Sequence, residues 1–291
     1  MDPVPLNPKS RLTMNMSAEP QPTLRIFVYT VCWNEEKFLP YFLRHYATFA
    51  EKIIVYDNGS TDASPQIVRD FPKAELRQFD TGGTFNDLAN VEIKNEAYKE
   101  VRGVADFAIV VDADELLYHP RIHEILSEYM RDGVTLPRID GYNMFAWRFP
   151  RGERPITELV RYGRSAPWYG KRIIFRPDVD INYNPCCHIC HPEGPVVESP
   201  TAELKLLHYH YMGYGYNLKK HRTRGRRLSQ YNLKRNLGIE YHWGFMRIFG
   251  RFVVFMANSH DVIRGRRSLV ATLCGAPVNW IKRLLSKNRP S

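Results

Sequence analysis

Asp112-Ala113-Asp114-Glu115 is the segment whose residue types and spacing can do the most chemistry. It follows residues 106–111 (DFAIVV), an apolar run that predicts a buried strand ending directly in Asp112. In extended backbone, residues two apart share a face, so Asp112 and Asp114 are expected to point the same way while Ala113 tucks back toward the sheet. Two hard carboxylate ligands at a strand end, open on one side, suit Mg²⁺ or Mn²⁺ shared with substrate phosphates rather than a closed protein cage. An isolated Asp-x-Asp is most often a solvated acidic turn. The apolar strand that delivers this one to a sheet edge sets it apart.

A second constellation joins Asn34-Glu35-Glu36 to Asp57-Asn58-Gly59-Ser60-Thr61-Asp62. Asp57, at the end of a predicted strand, can accept from the N3–H of a uracil, with Gly59 allowing the turn. The alternative is that Asp57, Asn58 and Asp62 only shape the turn and cap a helix, the reading that suits Asp62 better. Lys171 and Arg176 can neutralise phosphate charge or simply decorate the surface. The cluster over 186–191 (CCHICH) has zinc-binding chemistry, but three Cys and two His within six residues lack the reach to converge tetrahedrally. Its plain alternative is a loop of reduced cysteines.

Elements must hold these residues in place. Residues 25–31 (RIFVYTV) and 52–56 (KIIVY) read as buried strands. Between them Phe38, Leu39, Phe42, Leu43 and Tyr46 recur at helical spacing, with Asn34 as a cap and Pro40 in the first turn. A short helix from about Ala63, a strand over 76–79 and a helix over 88–101 complete the alternation. This order predicts an α/β fold, a mainly parallel sheet with helices on both faces and ligands at the carboxyl ends of its strands. From 136 to 216 the pattern turns to aromatic, Pro-rich short strands such as 143–149 and 172–175, read as a second half of the same domain. Beyond 217 it is basic and helical, with an apolar face from Trp243, Phe245, Met246, Ile248, Phe249, Phe252 and Val253.

The chain has 291 residues and a formal charge of +10, unevenly placed. From Lys205 onward lie 18 of its 41 basic residues and two of its 31 acids, so that stretch carries +16 and the rest −6. An acidic front and a basic back suggest a site that needs carboxylates and a surface that meets anions. Five cysteines form no paired framework, and residues 1–22 are a polar, Pro-rich tail with no apolar leader, so a reducing cytoplasm is expected. No run of roughly 18 apolar residues is present to span a membrane. The basic stretch, with 280–289 mixing Ile281, Leu284 and Leu285 among Lys and Arg, suits an interfacial helix lying on the inner face of an anionic membrane. The plain alternative is a structural cap whose charges are solvated.

The run NEEKFLPYFLRHYATFAEKIIVYDNGSTD and, further on, VVDADELLY resemble family 2-like glycosyltransferases of the GT-A fold, in the branch carrying Asp-x-Asp-Glu. The resemblance is strong over 24–120 and continues more weakly through KRIIFRPD (171–178) and LLHYH (206–210). It implies a GT-A-like domain over 23–215, with a nucleotide-sugar half at 23–120 and an acceptor half at 121–215, followed by the basic extension 216–291. It also implies metal-dependent transfer from a nucleotide-sugar, UDP-linked by expectation, to a hydroxyl of a glycan or glycolipid, as in polysaccharide biosynthesis. Glu35, Asp57, Asn95, Asp112 and Lys171 are assigned to the nucleotide-sugar. Asp112, Asp114 and His208 are assigned to Mn²⁺ or Mg²⁺, although His208 reads equally as a core imidazole with a satisfied hydrogen bond. Val31 and Cys32 stand where relatives often carry Pro or Thr, so backbone must replace a hydroxyl contact there. An inverting reaction needs a base on the acceptor side, where Glu158, Asp178, Glu193 and Glu198 are available, and Glu193 is the choice.

Two other classes compete. A sugar-phosphate nucleotidyltransferase would carry a Gly-rich loop after its first strand, where this chain reads VCWNEEK. A nucleic-acid-binding protein would explain KKHRTRGRR over 219–227 but would leave the acidic strand ends without a role.

Overall fold

The computed structural model describes residues 24–267. The tail over 1–22, Cys274 and the segment 280–289 lie outside the described residues. In chain order the elements are β1 (Ile26–Cys32), α1 (Leu39–Tyr46), β2 (Lys52–Asp57), α2 (Ser64–Arg69), β3 (Ala74–Gln78), α3 (Asp87–Glu96), β4 (Phe107–Asp112), β5 (Glu115–Tyr118), α4 (Ile122–Arg131), β6 (Ile139–Ala146) and α5 (Ile156–Leu159). There follow β7 (Tyr162–Ser165), β8 (Ile174–Phe175), β9 (Leu204–Met212), α6 (Tyr214–Arg226), α7 (Gln230–Lys234), α8 (Phe245–Asn258), β10 (His260–Asp261) and β11 (Arg266–Arg267).

The first sheet has the order β3-β2-β1-β4-β8, with the first four strands parallel and β8 antiparallel to β4. Its central strands are apolar throughout because both faces are covered. On one face α1 packs Leu39, Phe42, Leu43 and Tyr46 against Val28, Ile53 and Val55. On the other, Val91 and Tyr98 pack against Tyr29, Ile54, Val110 and Phe175. The expected mainly parallel α/β sheet is therefore what forms. Strand order reverses between β1 and β4, and their register sets Val31 beside Asp112. A crevice opens at the carboxyl ends of strands at such a switch point.

The second sheet has the order β11-β10-β7-β6-β9-β5. Strand β9 lies between β5, to which it is antiparallel, and β6, to which it is parallel, so His208 sits beside both Glu115 and Asn143. Helix α8 buries Ile248, Phe252 and Phe255 against Phe145 and Tyr211 of this sheet. Among the described residues no helix is long and apolar enough to cross a membrane.

Three local expectations shift. The helix over 88–101 is α3 followed by a separate 3₁₀ turn, Ala97–Val101. The strand placed at 143–149 forms earlier, as β6. Asn34 does not cap α1, whose first turn has no side-chain cap. Instead Asn34 adopts a left-handed conformation (φ 52°) and its Oδ1 accepts from the Thr61 and Asp62 N–H groups at 2.7 and 3.3 Å, tying the loop after β1 to the loop after β2.

Candidate active site

Strand β4 ends at Asp112, the chain turns through Ala113 and Asp114, and β5 starts at Glu115, so the acidic segment is the hinge between the two sheets. The turn replaces the extended geometry read from the sequence. Asp112, Ala113 and Asp114 still line one cavity, together with Glu35, Lys94, Lys171, His208, His210 and Arg224. Trp33, Asn58, Phe79 and Phe85 also line it.

The carboxylates here are held by buried cations. Asp112 Oδ1 pairs with Lys94, and Asp112 Oδ2 pairs with Lys171 at 3.1 Å. Lys171 Nζ also reaches Glu115 Oε1 at 2.5 Å, while Glu115 Oε2 accepts the Asp112 N–H at 3.0 Å. The Lys94 and Lys171 side chains are only 6 % and 4 % exposed, whereas Asp112 keeps 36 % of its side-chain surface and remains reachable. Desolvation works to raise the Asp112 pKa, but Lys94 and then Lys171 outweigh it and hold the carboxyl well below its ordinary range.

Asp114 is buried between Lys220 Nζ at 3.0 Å and His208 Nε2 at 3.6 Å. Burial again opposes ionisation, and Lys220 followed by His208 overcomes it. Glu35, also buried, accepts from Lys220 at 2.8 Å, Arg224 at 2.9 Å and the Tyr216 hydroxyl at 3.3 Å. Tyr216, Lys220 and Arg224 recur every four residues on α6 and so share one face of that helix. The cavity measures about 170 Å³, below the roughly 300–1,000 Å³ usual for ligand clefts.

Among the described residues, one group of His, Cys, Asp or Glu can converge on a metal: Asp114, His208 and His210, whose ligand atoms lie within 4.8 Å of one another. Burial, then His208, push the His210 pKa well below its ordinary value, so this imidazole is neutral with a lone pair to offer. His208 Nδ1 lies 3.1 Å from Asn143 Oδ1. An outer partner of this kind fixes the orientation of a ligating imidazole. The donor set fits a divalent cation. It exchanges Asp112, expected as a ligand, for His210, which sequence reading did not single out.

The other expected residues are placed variously. Asp57 is buried behind Cys32 and Asn58, outside the cavity lining itself. Its Oδ2 accepts the Ser60 N–H at 3.0 Å, and its Oδ1 has no partner among the described residues. Asp62 Oδ1 accepts the Ser64 N–H at 2.9 Å just before α2, a turn-shaping bond, while the N-cap position of that helix is Ala63 and has no side-chain cap. Asn95 does not face the cavity: its amide exchanges two hydrogen bonds with the backbone of Tyr183, at 3.1 and 2.8 Å. It thereby fixes the loop that brings Cys186, Cys187 and His188 to the cavity wall. That loop is not among the metal-capable groups. Glu193 is exposed, its backbone bridging Asp180, and it does not reach the cavity.

Lys94, Lys220, Arg224 and His210 were missed. Only the four-residue step from Lys220 to Arg224, and the His-Tyr-His pattern, offered a signal.

The family described as Glycosyl transferase family 2 matches residues 27–191. No curated protein matches the sequence. Among solved structures, S. aureus TarS 1-349 in complex with UDP-GlcNAc is 13 % identical, with 81 % of this chain and 72 % of that chain covered and a TM-score of 0.41. The same protein in complex with UDP is 16 % identical, with 80 % and 71 % covered and a TM-score of 0.42. Glucosyl-3-phosphoglycerate synthase from Mycobacterium tuberculosis, in complex with Mn²⁺, UDP and glucosyl-3-phosphoglycerate, is 19 % identical, with 47 % of each chain covered and a TM-score of 0.27.

Proposed function

The chain belongs to glycosyl transferase family 2, and from that premise we propose that it moves a sugar from a UDP-linked donor to an acceptor hydroxyl in a reaction that depends on a divalent cation. The observation that carries this reading is the convergence of Asp114, His208 and His210 beside Asp112 at the strand-order reversal of the parallel sheet. Two imidazoles in the donor set favour Mn²⁺ over Mg²⁺, which prefers oxygen ligands. When bound, such a cation supplies Lewis-acid stabilisation of a departing diphosphate. The chain's own residues do the rest. Lys94 and Lys171 orient Asp112 and offset its charge. Lys220 and Arg224 bring two further cations to where diphosphate charge builds up. Asp57 Oδ1, buried and without a partner among the described residues, is suited to accept from the donor base through a small adjustment of neighbouring Cys32 and Asn58.

Release of UDP from a panel of UDP-sugars, with Mn²⁺, with Mg²⁺ and with EDTA, tests the reading. Turnover with Mn²⁺ and its loss in EDTA are expected, and a chain that binds and turns over none of them would defeat it. The +16 stretch also bears on where the reaction takes place. Phe245, Met246 and Phe249 of α8 remain 51 %, 72 % and 40 % exposed, next to Trp147. Beside them a cavity is lined by Lys37, Arg148, Arg151 and Lys219 with no carboxylate. This face is proposed to rest on an anionic membrane surface that presents a lipid-linked or envelope acceptor.

A further inference from the structure

Beyond the donor cavity lies a second one of about 570 Å³, within the range of ligand clefts. It runs between β6, β7 and α8, and is lined by Asn143, Arg164, Trp168, Trp243 and Arg251 among others. Two residues line both cavities, His210 and Glu240. A group lodged in the second cavity would therefore meet a group in the first across Glu240.

The five acids lining the donor cavity differ in what holds them. Asp112 pairs with Lys94 and Lys171, while Asp114 and Glu35 share Lys220. Asp87 accepts from the Asn232 amide at 2.8 Å. The Glu240 carboxylate makes no hydrogen bond or ion pair among the described residues. Its backbone, by contrast, is fixed: its carbonyl accepts from His221 Nδ1 at 3.1 Å, within the 3₁₀ turn Ile239–His242. A positioned carboxylate with an uncommitted oxygen is what a general base requires.

The second cavity has a chemistry of its own. Trp168 is 63 % exposed and offers an amphipathic ring face for a sugar. Arg164 is exposed and has no ion pair among the described residues. Arg251 stacks 4.0 Å from the Trp243 ring and donates to the Tyr211 hydroxyl at 2.9 Å. Two guanidinium groups against one carboxylate leave a positive excess, and their planar forks match carboxylate or phosphate oxygens.

We infer that this cavity is the acceptor subsite, that it takes a sugar bearing a carboxylate or phosphate, and that Glu240 is the catalytic base. The inference rests on the glycosyltransferase reading. The acceptor hydroxyl gives its proton to Glu240 as its oxygen bonds to the anomeric carbon. The bond from that carbon to the diphosphate oxygen breaks, and its electron pair leaves with UDP. Attack from the face opposite the leaving group inverts the configuration.

The test measures UDP release and product mass with UDP-glucose or UDP-N-acetylglucosamine as donor. Three acceptors are compared: methyl β-glucuronide, methyl glucoside 6-phosphate and methyl glucoside. At least one acidic sugar is expected to outpace the neutral one by about tenfold, and the two acidic arms tell carboxylate from phosphate. Glu240→Gln should lower transfer by about 10²- to 10⁴-fold while calorimetry shows UDP still bound within a few-fold of wild type. Arg164→Ala should shrink the acidic-to-neutral preference. Equal rates with all three sugars, or acceleration by none in an enzyme that hydrolyses its donor, overturns the acidic acceptor. Full transfer by Glu240→Gln, or loss of its UDP binding, overturns the base. A wild-type chain that binds no UDP would instead remove the glycosyltransferase reading itself.

Discussion

Asp114 and Asp57 are both buried carboxylates, yet they should fail differently when changed. Asp114 sits in the metal-capable group, and Asp114→Asn keeps its size while removing a charge and a good ligand oxygen. Lys220 retains Glu35 at 2.8 Å, so no buried ammonium is stranded and the fold should survive. UDP titration is expected to lose its dependence on Mn²⁺ in this variant, and wild-type Mn²⁺-dependent affinity would take Asp114 out of the site. Asp57→Ala should weaken UDP binding by about 5- to 150-fold, the worth of roughly 1–3 kcal/mol for one buried hydrogen bond to ligand. Dependence on Mn²⁺ should persist there, and an unchanged affinity would leave Asp57 a turn residue. These acids were legible because Asp57 ends an apolar strand and Asp114 lies two residues beyond the end of another. Lys94 and Arg224 were not, because a buried lysine or arginine looks like any surface cation until its partner, 18 residues away for Lys94 and 189 for Arg224, is known. Glu193 had only its place along the chain in its favour; its backbone bridges Asp180 and it does not line the cavity. Asn95 shows the converse: its role is to hold a loop, which no spacing could reveal.

Helix α6 is where the basic part of the chain enters the site. Its Lys220 and Arg224 meet Glu35, which is itself held by donating its N–H to Ser64 Oγ at 2.9 Å. Removal at Glu35 would leave buried Arg224 without its carboxylate while Lys220 keeps Asp114, a loss on the order of 3–5 kcal/mol. Glu35→Gln and Lys220→Met are therefore expected to be non-additive, with a coupling of about 0.5–3 kcal/mol in urea unfolding. Additive effects would mean that α6 is held by its other contacts alone. The first sheet was readable because its strands are short apolar runs separated by helices. The second was harder: β6 and β9 are parallel neighbours with α5, β7, a 3₁₀ turn and β8 between them in the chain, and β9 mixes His and Tyr into its apolar pattern. The break between α3 and the 3₁₀ turn has a tertiary setting as well, since the Tyr98 hydroxyl there bonds the Val179 carbonyl and the Ile181 N–H at 3.0 and 3.1 Å. A helical period alone carries no sign of that contact.

At the scale of the whole molecule, the charge imbalance divides into two uses. Lys220 and Arg224 are spent inward on Glu35 and Asp114, so the +16 of the sequence overstates what a surface can feel. Lys37, Arg148, Arg151 and Lys219 remain around an open cavity with no acid, three of them drawn from outside the stretch that looked basic. The apolar face of α8 divides likewise, because Ile248, Phe252 and Phe255 are buried against the second sheet while Phe245, Met246 and Phe249 stay exposed. On the proposed membrane reading, the exposed aromatic and Met side chains would enter the acyl boundary while the cations beside them meet the headgroups. Each cation at an anionic surface contributes roughly 1 kcal/mol, so four acting together would hold the protein at the membrane without a spanning segment. Co-sedimentation is expected with phosphatidylserine-containing vesicles at low salt and not with phosphatidylcholine vesicles, and it should weaken at high salt as screening shortens the reach of exposed charges. Arg148→Glu with Arg151→Glu should abolish it, and Phe245→Ser with Met246→Ser should reduce what remains at high salt. Equal failure to bind both vesicle types at low salt would sink the membrane reading and leave α8 as a cap on the second sheet.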